Sequence, residues 1–305
     1  TDINKGNIMT HKITQQAPWL ASTLNTGDSN FLEQANLTQK ITKEPVASNG
    51  TEIPGVKALM RLSDKTFYRV VPDDFEVLQP EEFFQLTTQV GGLVHSAGQT
   101  DDGEIVYFTT IPEEQYQTFQ VNNDIYQNFI LFALSYNADI GIAILPISVN
   151  ISRNLTFNVA EMLQTPRPRI RQSKNVKARA KNPHEFKEIY KDCLRQLTTF
   201  KETLRKSADM NGYSLPEVLE TLIPIPPKAT DNKITRTLSL REEISNNHIA
   251  LYGTSLYSIF TAIYATDIER HDKRRITLAR RFFTGKTSPL AVQAINLMQD
   301  DKKVA

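Results

Sequence analysis

Apolar residues recur at two different spacings along this chain, and the change falls near its middle. From Lys57 to Ile151 they come in short runs separated by turn residues, the pattern of strands. KALMRLSDKTFYRVVP predicts two short strands around a Ser63-Asp64-Lys65 turn. PEEFFQLTTQVGG then predicts a short helix. Pro80 suits its first turn, Glu81 and Glu82 favour the positive end of the helix dipole, and Gly91-Gly92 stop it. LVHSAGQ, the turn TDDG and EIVYFTTIP predict a hairpin in which Val106 and Phe108 alternate with Tyr107 and Thr109. IYQNFILFALSY (125–136) and IGIAILPISVNI (140–151) predict a second strand pair. These runs together predict a twisted, mainly antiparallel sheet of about five to seven strands.

RNLTFNVAEMLQ (153–164) reads as a helix ending at Pro166, and beyond it the spacing is helical. Asn182 is the predicted cap, Pro183 the first helical residue, and Glu185 sits in the first turn. Phe186, Ile189, Tyr190, Cys193, Leu194, Leu197, Phe200 and Leu204 then follow at i, i+3, i+4 steps. That predicts an amphipathic helix of about seven turns, running until Gly212. SLPEVLETLIP, TLSLREEISNNHIAL, GTSLYSIFTAIYATDIERHD, ITLARRFFTGK and SPLAVQAINLMQD predict further helices, and IPIPPKATDN a Pro-rich loop. Residues 1–52 are polar, with Pro18-Trp19-Leu20 as an anchor and FLEQANL as a short helix. The expected fold class is α+β. A partly flexible arm (1–52) precedes a β-rich region (53–164), a connector (165–183) and a helical region (184–305).

Charge changes this picture. The chain carries a formal net charge of +1, but residues 1–161 hold nine Lys/Arg against nineteen Asp/Glu, net −10, and residues 162–305 are net +11. Between Leu163 and His184 there are seven cations, Arg167, Arg169, Arg171, Lys174, Lys177, Arg179 and Lys181, and no carboxylate. In an extended chain Arg167, Arg169 and Arg171 share one face roughly 7 Å apart, a spacing suited to successive phosphates. Cations without local compensation point to an anionic polymer. The competing reading is that the two halves neutralise each other across an internal interface. A second basic cluster includes Arg270, Lys273, Arg274, Arg275, Arg280, Arg281 and Lys286, beside Phe282 and Phe283. Most strand aromatics read as core. Tyr107 and Tyr136, out of phase with their apolar neighbours, are the candidates for stacking on bases.

Other chemistry is sparse. Cys193 is the single cysteine, so no disulfide framework or Cys-based metal site is expected. The five histidines never pair with Cys or Glu at ligand spacing, and a hairpin turn accounts for Asp101, Asp102 and Glu104. No Walker loop, G-x-S-x-G or H-E-x-x-H occurs. The expectation is a non-enzymatic protein without metal or cofactor, although an active site assembled from distant residues leaves no such motif. No apolar run approaches the roughly twenty residues that span a bilayer, and TDINKGNIMTHK lacks a signal-peptide core. A soluble cytoplasmic protein is expected, with no membrane partner.

Several segments carry a resemblance: FLEQANLTQKITKEPV, ALMRLSDKTFYRVVPDDFEVLQPEEFF, GEIVYFTTIP, IAILPISVNISRNLTF, IRQSKN and YGTSLYSIFTAIYATDIERHD. In order and spacing they resemble the phage- and plasmid-borne family called Domain of Unknown Function 932, over roughly Trp19 to Met298. Where that family tends to read Ser-His-Asp-Gly-Ser, this chain has Ser135-Tyr136-Asn137-Ala138-Asp139. Where it tends to read Arg-His-Thr or Arg-His-Ser, this chain has Arg171-Gln172-Ser173. Arg171, Ser135 and Asn154 match and both histidines are missing, so no role of those histidines passes to this chain. The resemblance implies a mobile-element setting and no particular activity.

The expected function is therefore binding of nucleic acid, single-stranded DNA by preference, in annealing, recombination or replication of a phage, plasmid or integrated element in a bacterial cytoplasm. Complementary halves also predict a homo-oligomer. The alternative is a structural or interaction protein, such as a virion component or an inhibitor of a host protein.

Overall fold

The computed structural model describes residues 31–100, 102–137, 141–166, 169–251, 254–272 and 289–299. A single helical turn, α1 (Phe31–Gln34), leads into three antiparallel strands, β1 (Ile41–Ser48), β2 (Thr51–Arg61) and β3 (Phe67–Pro72), ordered β1-β2-β3. Asn49 and Gly50 join the first two with φ of +51° and +78°, the left-handed pair that suits a tight hairpin. The sequence reading began ordered structure at Lys57 and ended the arm at residue 52. In fact β1 and the first residues of β2 lie inside that arm. EPVASNGTEIPGV has too few large apolar residues for periodicity to register, and the Asn-Gly turn alone marks the hairpin.

Helix α2 (Pro80–Gly91) occupies the predicted place. The Glu82 carboxylate accepts the Gln79 N–H at 2.8 Å, while the Gln79 side chain pairs with Ile41, accepting its N–H at 3.0 Å and donating to its carbonyl at 2.9 Å. One glutamine thereby fastens the helix entry to the first strand.

A seven-stranded antiparallel sheet follows, built from β4 (Val94–Gln99), β5 (Ile105–Thr110), β6 (Thr118–Val121), β7 (Asp124–Ser135), β8 (Ile142–Asn150), β9 (Leu155–Asn158) and β10 (Arg169–Ile170). Its order is β10-β8-β7-β5-β4, with β6 on β7 and β9 on β8. Short helices α3 (Glu114–Gln117) and α4 (Val159–Met162) interrupt it. The single helix expected over 153–164 is instead β9 followed by α4. Leu155–Asn158 extends the sheet by pairing with Ile147–Asn150, and the Asn158 side chain then caps α4 by accepting the Glu161 N–H. Sheet pairing overrides the helical pattern there.

Helices α5 (Val176–Lys181), α6 (His184–Asp209), α7 (Leu215–Leu222), α8 (Asp231–Leu251), α9 (Leu256–Asp272) and α10 (Pro289–Gln299) complete the described chain. ITLARRFFTGK lies outside the described residues. Helix α6 lays its apolar stripe on the sheet: Cys193 Sγ donates to the Ile144 carbonyl at 3.6 Å, and Phe200 packs 5.7 Å from Phe157. Burial pushes the Cys193 thiol up, so it stays neutral. Helix α9 brings Phe260 and Tyr264 onto the same Phe157 ring, at 5.8 and 4.3 Å between centroids.

A buried polar network also joins the two halves. Asp124, 3% exposed, accepts Nε of Arg153 at 2.7 Å and the Tyr257 hydroxyl at 2.5 Å; Tyr126 and Tyr257 share a 2.7 Å hydrogen bond. Desolvation raises both phenol pKa values and keeps the protons in place. Tyr257→Phe leaves the buried carboxylate one donor short. It is expected to lower stability by roughly 1–3 kcal/mol, read as a shifted urea midpoint with an unchanged slope.

Candidate nucleic-acid interface

The basic connector is fastened to the body rather than looped away from it. β10 runs along β8, with Arg169 opposite Ala143 and Ile170 opposite Ile142. Gly141 makes this approach possible: its φ is +67°, and a Cβ there would sit 2.5 Å from the Ile170 carbonyl oxygen. Gln172 donates to the Ser135 carbonyl at 2.7 Å, and Ile170 and Val176 are buried in the main core. The segments around Ser135-Tyr136 and Gln172 therefore meet.

Carboxylates from outside the connector close on its cations. Lys177 Nζ pairs with Glu82 at 2.7 Å, and its backbone N–H donates to Glu76 at 2.9 Å. Arg179 holds Glu185 with contacts of 2.6 and 2.8 Å, and Lys174 lies 3.9 Å from Asp74. Among the described residues, three of the connector's cations are thus internally paired, two of them with the acidic half. This corrects the reading of an uncompensated strip. Among the described residues of the connector, the strand is Arg169–Ile170, and Lys177, Arg179 and Lys181 lie on α5. Arg171 and Lys181 are exposed and have no carboxylate partner among the described residues. Arg167, Lys273, Arg274 and Arg280 lie outside the described residues, as does the side chain of Arg169.

The tyrosines expected to stack on bases are both buried, which corrects that expectation. Tyr107 is 6% exposed, with its ring against Gly98, where a Cβ would collide with the phenol oxygen. Desolvation pushes its phenol up to about 12. Tyr136 is 0% exposed; it donates to the Leu78 carbonyl at 3.3 Å and packs on Tyr68 at 5.6 Å. For Tyr107, alternation out of phase places the side chain on the other sheet face, and that face is also buried; Tyr136 belongs to the main core. Tyr107, Phe129, Leu131, Ala133, Leu145 and Ile147 belong to a second apolar cluster opposite the first.

A surface that the sequence reading missed is the three-stranded sheet. Residues 40–72 hold Lys40, Lys43, Lys57, Arg61, Lys65 and Arg69 against Glu44, Glu52 and Asp64. Six of the nine cations of the acidic half are here, a local excess of +3 within a half that is net −10. Lys57 pairs with Glu52, Arg61 with Asp64 and Lys65 with Glu44. Arg69 lies over the Phe75 ring at 4.8 Å and has no carboxylate partner among the described residues. In the register Met60 faces Phe67 and Ala58 faces Val70, so these four share one side, opposite Leu59 and Val71. A bulge at Tyr68 turns its ring toward Tyr136 and leaves Phe67 outward. Phe67 is 56% exposed and Val70 49%.

Strand β3 leads directly to the connector. Lys43 of the sheet donates to the Asp73 carbonyl at 2.6 Å, and Lys174 of the connector lies 3.9 Å from the adjacent Asp74 carboxylate. Two basic segments far apart in sequence thereby meet at one step of chain.

If Val176 is what fastens α5, Val176→Ala is expected to cost roughly 1–3 kcal/mol. Lys177→Ala, which breaks a half-exposed pair, is expected to cost under about 1 kcal/mol. Urea denaturation separates the two. Tryptic cleavage after Lys174 and Lys177 under native conditions should accelerate in Val176→Ala.

Among the described residues no helix is long and apolar enough to cross a membrane, and no group of three His, Cys, Asp or Glu side chains is placed to hold a metal ion. No protein-family model, curated protein or solved structure matches the chain.

Proposed function

We propose that this chain binds nucleic acid, single-stranded DNA by preference, and serves annealing, recombination or replication of a phage, plasmid or integrated element in the cytoplasm of its bacterial host. What carries the reading is the meeting of Lys43 and Lys174 at the Asp73-Asp74 step, which sets the basic sheet beside the basic connector. The cations left for phosphate are those exposed and without internal carboxylates: Arg171 and Lys181 on the connector, Lys40 and Lys43 on the sheet. Their spread over two adjoining elements suits a backbone tracked across a surface better than a single row of arginines does.

Fluorescence anisotropy against a short single strand, a duplex and a single-stranded RNA at several salt concentrations tests this. Wild type is expected to bind the DNA single strand most tightly, with affinity falling as salt rises. Arg171→Ala with Lys181→Ala is expected to reduce the slope of log K against log salt by about 1.4, the value for two lost contacts on a single strand. Absence of binding to any polymer at low salt overturns the proposal.

The same reading includes a homo-oligomer, since a basic surface on one copy can face the acidic surface of the next. Size-exclusion with light scattering is expected to give more than one copy per particle. A strict monomer with and without DNA removes this part.

The second reading, a structural or interaction protein, draws on the internal pairing of Lys174, Lys177 and Arg179. A protein complex that persists without any salt-sensitive polymer binding is the result that favours it.

A further inference from the structure

We propose that residues 13–27, with Trp19 as the anchor, are the layer that covers the second face of the seven-stranded sheet. This goes beyond the proposed function and is independent of it.

A sheet face cannot bury itself. Tyr107, Phe129, Leu131, Leu145, Ile147 and Val149 stand on one side of β5, β7 and β8, and none is more than 6% exposed. Left bare, they would form a contiguous apolar patch larger than proteins ordinarily show to water, so a layer has to lie over them. The described helices do not supply it. Helices α1, α2 and α4 to α10 each place buried apolar side chains in the first cluster, and Tyr116 of α3 packs against that cluster. The three-stranded sheet joins it too, through Ile41, Leu59 and Val71. Among the described residues the second cluster holds strand side chains alone, with Ile111 at its border. The face is nevertheless buried within one chain, so a second copy is not what covers it. The cover comes from a segment outside the described residues.

Composition selects which one. Residues 13–27, ITQQAPWLASTLNTG, hold no charged side chain and supply Ile13, Pro18, Trp19, Leu20 and Leu24. Residues 273–288 hold six cations and no carboxylate, and laying these on an apolar face would strip them of water. They also join α9 to α10, both of which pack in the first cluster. Residues 300–305, DDKKVA, are short and charged, and the other such segments are three residues or fewer.

Position selects the same segment. The Asn36 carbonyl, just after α1, accepts Gln99 Nε2 at 3.1 Å, so the chain that precedes α1 starts beside β4, an edge strand of the sheet. From β4 to β8 the sheet is about 15 Å wide. The twelve residues from Trp19 to Phe31 can span roughly 40 Å, so Trp19 can reach any strand of the face.

The experiment reads side-chain access by hydroxyl-radical oxidation and mass spectrometry in the full chain, in Trp19→Ala and in a chain lacking residues 1–27. Tyr107 and Phe129 report the second face, Phe157 and Phe260 the first. Both variants are expected to raise oxidation of Tyr107 and Phe129 severalfold and to leave Phe157 and Phe260 protected. Trp19 is the only tryptophan, so its emission reports on this segment directly. In the full chain acrylamide is expected to quench it severalfold less than in urea. Unchanged protection of Tyr107 and Phe129 without residues 1–27 overturns the proposal, because another segment then covers the face. Equal quenching of Trp19 in the native and unfolded chain overturns it as well. If all four rings open in the truncated chain, it has unfolded and Trp19→Ala decides. A rise confined to Tyr107 and Phe129 then supports the proposal, and no rise overturns it.

Discussion

The pairing of β7 with β8 is the constraint on which the rest of the structure depends. Both strands are buried on both faces through most of their length, a condition that requires layers on either side. One face takes the stripe of α6 and the Phe157 cluster, which fixes α9 and through it the helical half. The other face forms the second apolar cluster around Phe129 and Leu131. Because β5 lies between these faces as well, neither phase of its alternation leads to solvent. The burial of Tyr107 follows from this position in the sheet. Tyr136, just beyond β7, is buried for a different reason, the packing of Tyr68 and Leu78 over it.

The same layering organises the polar groups. Asp124 sits at the start of β7, where the sheet meets α9, and its buried carboxyl group takes donors from two directions, Arg153 and Tyr257. Breaking one donor is costly for the reason that making the network contributes little: the carboxylate has already lost its water. At the connector the charges are nearer solvent, and the balance differs. Glu82 and Lys177 each keep more than a third of their side-chain surface exposed, so this pair steers α5 against α2 without holding it there. Burial of Ile170 and Val176 does the holding.

Much of the fold was legible in the sequence. The strand runs from Val94 to Asn150 are long, apolar and bounded by turn residues, and the α6 stripe runs for seven turns, so local pattern and tertiary demand agree. The misses share one physical cause. In Glu44–Val56 and Leu155–Asn158 the structure is fixed by what a neighbouring strand offers, and a four-residue strand or a polar hairpin carries little periodicity of its own. The candidate site was less legible for a related reason. Seven cations without a local carboxylate suggested free charge, yet Asp74, Glu82 and Glu185 reach three of them, two from far away in sequence. Summing charge over 1–161 also concealed the basic excess of residues 40–72, because nearly all the acid of that half lies elsewhere.

The outward position of Phe67 follows from the bulge beside it. Without the extra residue at Tyr68, strict alternation through Arg69 and Val71 would turn Phe67 to the core side of the sheet. The bulge allows Tyr68 to pack on Tyr136 and donate its hydroxyl to the Gly103 carbonyl at 3.1 Å, which ties this small sheet to the large one. That tie could have been made with a polar or small residue at position 67. Instead the chain leaves a large ring in water, on the same side of the sheet as Met60 and Val70. Single exposed apolar side chains need no explanation, but a contiguous group on a register-locked sheet marks a surface made for contact. Lys43 and Arg69, which flank Leu59 in the register, lie on the other side of the sheet, toward the Asp73 carbonyl and the Phe75 ring.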